Sequence, residues 1–551
     1  MATAARFGLA RRVNDGNAKW WTLAAACFAL FMAILDNLVV NVALPTIQRE
    51  LDASTTQLQW IVSAYTLIFA SLQITAGGLG DRFGRKRWFL IGIVLFTATS
   101  LVAAFASSIE VLIAARAVQG LGAALVMPLS LSLISQAFPP EERGRALGIW
   151  SAVSVSGLAL GPVIGGLLVE YTTWSWIFLI NVPVGIVAFV VTASVVRESR
   201  DLSGTVATDV PGTVLITGAI GALTFGLIEA GERGWSDGLI LSSFAAAAAL
   251  LVAFVAVEAR TERPMVPLRF FRSRTFTGAN LDAFAISFLI AGIAFSMTLY
   301  QQNVHGYSAV RTGLAMLPMV ATMMIGAPIS GSLVNRLGSS RLISLGMAIT
   351  GAAAFLFLRS GVEASYLDIL PAFVVMGLGM SLIFAPMTTA VLNSVETAKS
   401  GVASAVNGAV REIGTAFGIA LLGTLMNRTY QSTFERAPEI RSLHDSADPA
   451  LAPLGAVADV VGSGIGLGGR VVEDPRLFPG LEAFGPLVGQ IRDASSRAFV
   501  AGMEDAMVLS GALLIAVAGL SYWLINDRVA DRAPAAVPAL AGEEAVATAA
   551  D

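Results

Sequence analysis

Three ionisable side chains, Asp36, Arg116 and Glu412, stand inside long apolar runs. An ionised group at mid-bilayer depth costs about 2.5–3.5 kcal/mol on insertion scales, so each needs a reason to be there. Asp36 lies about 16 residues into the run Trp21 to Leu44, roughly 24 Å along a helix of 1.5 Å rise. A carboxylate at that depth reaches water only through a cavity. Whether it keeps its proton then depends on the cation beside it, so a proton and a cationic cargo could be exchanged at one site. Alternatively, Asp36 closes a polar knot with Asn37 or Asn41.

Arg116 keeps its charge and needs an acceptor, either Asp36 or a backbone carbonyl. Glu412 lies about ten residues into the run Val402 to Leu425, next to Arg411. Adjacent helical residues diverge by about 100°, so these two need not face each other. Glu412 is then either a second titratable or cation-binding group or half of a locked ion pair, with Arg411, Asn37 and Asn41 as candidate cavity residues. Asp282, the fourth residue of the run Ala279 to Leu299, is expected to snorkel to the inner surface. Glu229, Glu258 and Asp368, at the ends of runs, are expected at the interface.

Other chemistries find little support. The single cysteine, Cys27, and two histidines, His305 and His444, supply neither a disulfide framework nor a His-based metal cluster, so no metal and no cofactor are expected. None of the three lysines (Lys19, Lys86, Lys399) sits in a phosphate-binding G-x-x-x-x-G-K-[ST] loop. No cluster of acids or histidines on a loop marks an enzyme. An ion gradient remains as the energy source, worth about 2.3 kcal/mol per charge per 100 mV.

The elements that must position these residues are membrane spans. Over 551 residues, 55% are apolar and only 13% charged, which describes a polytopic protein of the lipid bilayer. A net charge of −3 offers no basic surface for nucleic acid. Fourteen runs approach 20 residues. Six lie between Trp21 and Val196, two are Thr213 to Ala230 and Leu239 to Val257, and six lie between Ala279 and Ile525. The basic start before Trp21 is read as the flank of an uncleaved first span, because the apolar stretch is too long for a signal peptide. With both termini inside, the inner segments collect 22 Lys plus Arg against four in the short outer loops, Arg49, Arg233, Arg311 and Arg359. The positive-inside rule therefore places both termini in the cytoplasm.

The expected organisation is an N-terminal tail (1–20), a six-helix bundle (21–197), two inserted helices with an inner linker (198–275), a second six-helix bundle (276–527) and a disordered cytoplasmic tail (528–551). The second bundle includes a partly ordered outer loop, 428–500, rich in Gly, Pro, Ala and Asp.

Two patterns stand out within this frame. GLALGPVIGG, Gly157 to Gly166, sets Gly157, Gly161 and Gly165 on one face at i, i+4 and i+8, so a neighbouring helix can approach to backbone contact. Pro162 removes a backbone donor beside that face, and Gly166 follows Gly165. The second pattern is a repeat. GGLGDRFGRKR, Gly77 to Arg87, after the second run matches GSLVNRLGSSR, Gly331 to Arg341, after the tenth, at a constant offset of 254 with Asn335 in place of Asp81. Two halves of like orientation with two helices between them follow. In the first copy Gly84 permits a tight turn, and Asp81 is suited to the positive N-terminal end of a neighbouring helix, such as the one beginning near Ser400. Arg82, Arg85, Lys86 and Arg87 either gate or anchor to anionic headgroups.

On these residues the chain resembles the major facilitator superfamily, specifically its fourteen-helix drug:proton antiporters of the EmrB/QacA type. LDNLVVNVALP (Leu35 to Pro45) is similar to the family's first-helix signature, with Leu38 where Thr is usual. Gly77 to Arg87 resembles its loop motif and LIAARAVQGLGAA (Leu112 to Ala124) its fourth-helix motif. Gly157 to Gly166 resembles the antiporter motif, and WSWIFLINVPVG (Trp174 to Gly185) another hallmark, with Ser175 replacing Arg. The resemblance implies an all-α fold of two pseudo-symmetric six-helix bundles plus two inserted helices, in a bacterial cytoplasmic membrane. It implies proton-coupled export of small amphipathic, often cationic compounds (multidrug efflux) or, in the alternative, of an endogenous lipid, antibiotic or metabolite. It assigns proton and substrate coupling to Asp36, proton transfer to Arg116, and an inner latch to the Gly77, Asp81, Arg82, Gly84 and Arg85 motif. The family more often has Gln at the place of Glu412. An envelope accessory protein receiving the cargo has no sequence signal of its own.

Overall fold

The computed structural model describes residues 17–51, 53, 55–200, 209–261, 264, 266–396, 399–445, 451–462 and 485–526. The expected terminal tails fall almost entirely outside the described residues. Among these residues every regular element is helical. With no water in a bilayer core, each span must satisfy its backbone groups internally, which these long helices do.

Fourteen elements carry the fold. The first bundle comprises α1 (Ala18–Glu50), α2 (Thr55–Phe83), α3 (Arg85–Ala104), α4 (Ile109–Ala137), α5 (Pro140–Tyr171) and α6 (Asn181–Val195). The inserted pair is α7 (Val210–Arg233) and α8 (Gly238–Glu258). The second bundle comprises α9 (Arg274–Leu299), α10 (Leu317–Leu337), α11 (Ser339–Leu356), α12 (Tyr366–Ser381 and Phe384–Asn393), α13 (Ser400–Arg436) and α14 (Gly485–Leu524). Thirteen of them are long and apolar enough to cross a membrane. The remaining one, α5, is 32 residues long and takes the place of the fifth expected span.

The halves meet where α2 packs on α13 and α5 on α10, and α7 bridges the seam by touching both α2 and α13. α8 leans on α7 and leaves Leu241, Val252 and Val255 exposed, a face suited to lipid.

The repeat sits differently from its expected place in a loop. α2 continues through Phe83, so most of Gly77 to Arg87 is helical and the chain turns on Gly84 alone. Its φ of 113°, matched by 82° at Gly338 in the second copy, is a conformation only glycine adopts cheaply.

Within 428–500, expected as a partly ordered outer loop, the described residues are largely helical. α13 runs on to Arg436, and helices follow at Pro438–His444 and Ala452–Gly462. α14 has 40 residues, which at 1.5 Å each is about 60 Å and twice the thickness of a hydrocarbon core, so one end must stand outside it. Tyr430 ties this cap together, donating to Val461 O at 2.9 Å, pairing with Ser495 Oγ at 2.9 Å and stacking on Phe434. Leu454, Val457, Ala458 and Val461 are buried beneath it. Their spacing of three and four is helical, and the Gly and Pro content around them obscured it.

Candidate functional site

Asp36, Arg116 and their surroundings form one buried polar network built by five helices of the first bundle. Asp36 Oδ2 accepts from Arg116 Nη1, and Oδ1 accepts from Gln119 Nε2 at 2.9 Å and Asn181 Nδ2 at 2.6 Å. Arg116 also donates to Gln119 Oε1 at 2.7 Å and, through Nε, to Ile61 O at 3.3 Å. Both acceptors expected for Arg116, the carboxylate and a backbone carbonyl, are thus engaged together. Ser100 Oγ accepts from Gln119 at 2.7 Å and from Asn181 at 3.3 Å. The guanidinium lies 4.3 Å from the centre of the Tyr65 ring, where the π face supports the positive charge. Asp36, Arg116 and Gln119 are at most 1% exposed.

The polar partners of Asp36 are therefore not the neighbour Asn37, which instead lines a cavity. The side chain of Asn41 lies outside the described residues. Gln119 and Asn181 were legible in principle, since both stand inside quoted motifs. Gln119 follows Arg116 by three positions, a same-face helical spacing.

A central cavity of about 260 Å³ opens beside this network, between the halves. Asn37, Leu38 and Tyr65 wall it from the first bundle, and Phe384, Arg411 and Glu412 from the second. Arg411 points its guanidinium over the Phe384 ring at 5.1 Å. Its Nε finds no hydrogen-bond acceptor among the described residues. Glu412 accepts no hydrogen bond and joins no ion pair there; Arg411 acts on it only as a neighbouring charge, so the two face the cavity without a locked contact.

Asp282 also departs from its expectation. It is fully buried and accepts from Ser521 of α14 rather than reaching the surface.

The glycine face of α5 has a definite occupant, the helix that carries Asp36. A Cβ on Gly157 would lie 2.9 Å from Ile34 Cγ2, one on Gly161 2.6 Å from Leu38 Cβ, and one on Gly165 3.2 Å from Val39 O. Gly166 faces the other half instead, where a Cβ would lie 2.6 Å from Val310 Cγ2. α5 stays helical through Pro162, whose side chain lies outside the described residues. A second pair, Gly144 and Gly148, seats α10 on roughly the opposite side of α5. The sequence reading did not single out that pair.

At the other end of α2, Asp81 is buried and accepts from the first amides of α13, Gly401 N at 3.2 Å and Val402 N at 3.0 Å. Arg85 closes on the same carboxylate at 2.7 Å. Gly77 lets α2 cross α13 so closely that a Cβ would lie 2.5 Å from Gly401 O. Arg82 stacks on Phe83 at 4.8 Å and takes no part in the carboxylate cluster. Behind Gly84, Glu198 caps α3 through the amides of Lys86 at 3.0 Å and Arg87 at 3.1 Å.

Comparison with known proteins places the chain as a whole. Residues 26–419 match the family described as Major Facilitator Superfamily. The chain is 34% identical over 521 residues to the tetracenomycin C resistance and export protein of Streptomyces glaucescens, covering 94% of each. It is 37% identical over 415 residues to the multidrug resistance protein Stp of Mycobacterium tuberculosis, covering 75% of this chain and 77% of that one. Among solved structures, the proton:xylose symporter XylE superposes with a TM-score of 0.57 at 15% identity, over 94% and 97% of the two chains. That likeness concerns the fold alone.

Proposed function

The chain belongs to the major facilitator superfamily and is a membrane transporter rather than an enzyme; from that premise we propose that it exports amphipathic, often cationic compounds in exchange for protons. The carrying observation is the Asp36 network, a carboxylate with three side-chain donors set behind the wall of a cavity between the halves. Protonating Asp36 removes the charge that holds Arg116, and Arg116 rests on Tyr65, a cavity-wall residue. Proton binding thus acts directly on the shape and charge of the substrate space. Because α1 rides on the glycine face of α5, it can shift without disengaging side chains. Leu38, packed against Gly161 and lining the cavity, is placed to influence which cargo fits.

In this reading the protein sits in the cytoplasmic membrane with both termini inside, so the end carrying Gly84 and Gly338 faces the cytoplasm. The units are 21–197 and 276–527, with the inserted pair within 198–275. Asp81 and Arg85 latch the inner face, and Glu412 meets positively charged cargo. The relative from Streptomyces glaucescens is named for the export of one antibiotic, which favours a second reading with a single defined cargo, an endogenous metabolite or antibiotic, on the same machinery.

The test is proton flux in proteoliposomes or everted vesicles against cationic dyes, neutral antibiotics and lipids. Asp36→Asn should insert normally and lose proton-coupled exchange for every cargo. Normal exchange by that variant would remove the coupling role, and a response to one neutral compound alone would favour the second reading.

A further inference from the structure

The inserted pair has so far had no function. α7 lies against α2 and α13, and between these helices and α9 is a second cavity of about 700 Å³, within the range of ligand pockets. Its walls are mostly apolar, with Ile228, Phe295 and Ile419, and hydroxyls come from Ser63, Thr66 and Thr424. Trp235, on the turn between α7 and α8, borders it. The indole donates to Thr424 Oγ1 of α13 at 2.8 Å and stacks on Phe244 of α8 at 6.1 Å. The turn closes this way because Gly234 adopts a φ of 85°.

Glu412 and Thr415 line this cavity and the central one alike. This carboxylate, set between two largely apolar chambers, has no hydrogen bond or ion pair among the described residues and only the non-contacting charge of Arg411 to balance it. Arg411 attracts it from beyond ion-pair distance, being turned over Phe384, so the carboxylate oxygens stay open to a second cation. A cation with an apolar, aromatic body would satisfy the carboxylate and the apolar walls together, because Arg428, which also lines the chamber, stands sixteen residues further along α13, about 24 Å from Glu412 on a straight helix. Its charge would meet Glu412, its rings would lie against Phe295 and Trp235, and its bulk would fit the volume.

We propose that the chamber beneath the inserted helices is a second binding site for lipophilic monocations, joined to the central cavity through Glu412, so that one cargo molecule passes between the two chambers along a shared carboxylate. One carboxylate serves both chambers, so occupancy is alternative and the chain binds one cation at a time. This rests on the export reading and gives the inserted pair the task of forming a chamber that two six-helix bundles alone do not enclose.

Gly423 allows a direct test. It lines the chamber, and a Cβ there would meet only the Phe295 ring, at 3.9 Å. In a Cys27→Ser background, Gly423→Cys places a thiol in the chamber. Its alkylation by a small maleimide is followed in nanodiscs while binding of radiolabelled tetraphenylphosphonium is measured on the same sample. At about ten times the Kd of tetraphenylphosphonium, alkylation should slow about ten-fold, and Glu412→Gln should abolish that protection. Bound tetraphenylphosphonium with undiminished alkylation overturns the second site and leaves the export reading standing, as does protection that survives Glu412→Gln. Absence of tetraphenylphosphonium binding overturns the site as well. Protection by a cation that is never exchanged for protons keeps the site and overturns the export reading.

Discussion

The two halves fasten to each other at the same end of the molecule, with the same backbone and different chemistry. In each copy of the repeat a helix stops at a positive-φ glycine, Gly84 or Gly338, and crosses a helix of the other half at a glycine. Gly77 meets Gly401 on α13, and Gly331 meets Gly144 on α5. The polar contact beside each crossing differs. Asp81 is buried and takes two amides of α13 and Arg85, whereas Asn335 is exposed and gives one hydrogen bond to Glu141 O at 2.8 Å. The helices being held explain the exchange. The first turn of α13 has no acid of its own, so an aspartate supplies the negative charge its N-terminus favours. The first turn of α5 already contains Glu141 and Glu142, and a third carboxylate there would be repelled. The close crossing is common to both fastenings, and charge is added where the partner helix lacks it.

The largest effect should come from removing that charge. Asp81→Asn leaves Arg85 buried without its counter-ion, and breaking a buried pair costs about 3–5 kcal/mol. The closed arrangement of this end should lose population by about two to four orders of magnitude, read as a longer distance between spin labels at exposed Arg87 and Glu396. Asp81→Asn combined with Arg85→Gln should recover part of the loss. An unchanged distance distribution in the single variant would show that the backbone crossing alone holds the halves.

A single methyl at the other fastening should rank second. The Cβ of Gly144→Ala would press on Gly331 O, a backbone atom that cannot step aside unless α5 and α10 separate. Overpacking of this kind costs about 1–3 kcal/mol, so transport should fall and the label distance should broaden while the protein stays inserted. If Gly144→Ala transports normally, the close crossing is not what the second copy contributes.

How much of this was legible follows from which forces act locally. The fourteen spans, the turn at Gly84 and the match of Asp81 to a helix starting near Ser400 were readable, because run length, φ > 0 and an N-terminal dipole are properties of short segments. The glycine face of α5 was readable as a face, but its occupant was not, since only packing puts Ile34, Leu38 and Val39 there. Gln119 and Asn181 stood in quoted motifs yet became partners of Asp36 only when five helices converged. Asp282 shows the opposite failure. Its place near a span end argued for snorkelling, but Ser521, 239 positions away, supplies a buried partner. The helices Pro438–His444 and Ala452–Gly462 were hidden because composition there favours loops while Tyr430, Val461 and Ser495 draw them together.

The smallest effect tests the reason given for the exchange itself. Asn335→Asp would make the second copy match the first, but its side chain faces the carbonyl of Glu141 and the acids that open α5. The position is exposed, so water and salt screen the repulsion, and the change should cost no more than about 1 kcal/mol. A modest shift toward the separated form is expected at low ionic strength, fading as salt rises. Neutralising the helix start with Glu141→Gln and Glu142→Gln should reverse the sign, because α5 would then lack acids in its first turn as α13 does, and Asp at 335 should hold at least as well as Asn. If Asn335→Asp weakens the fastening equally with and without those two acids, local charge at the helix start does not explain why the two copies differ.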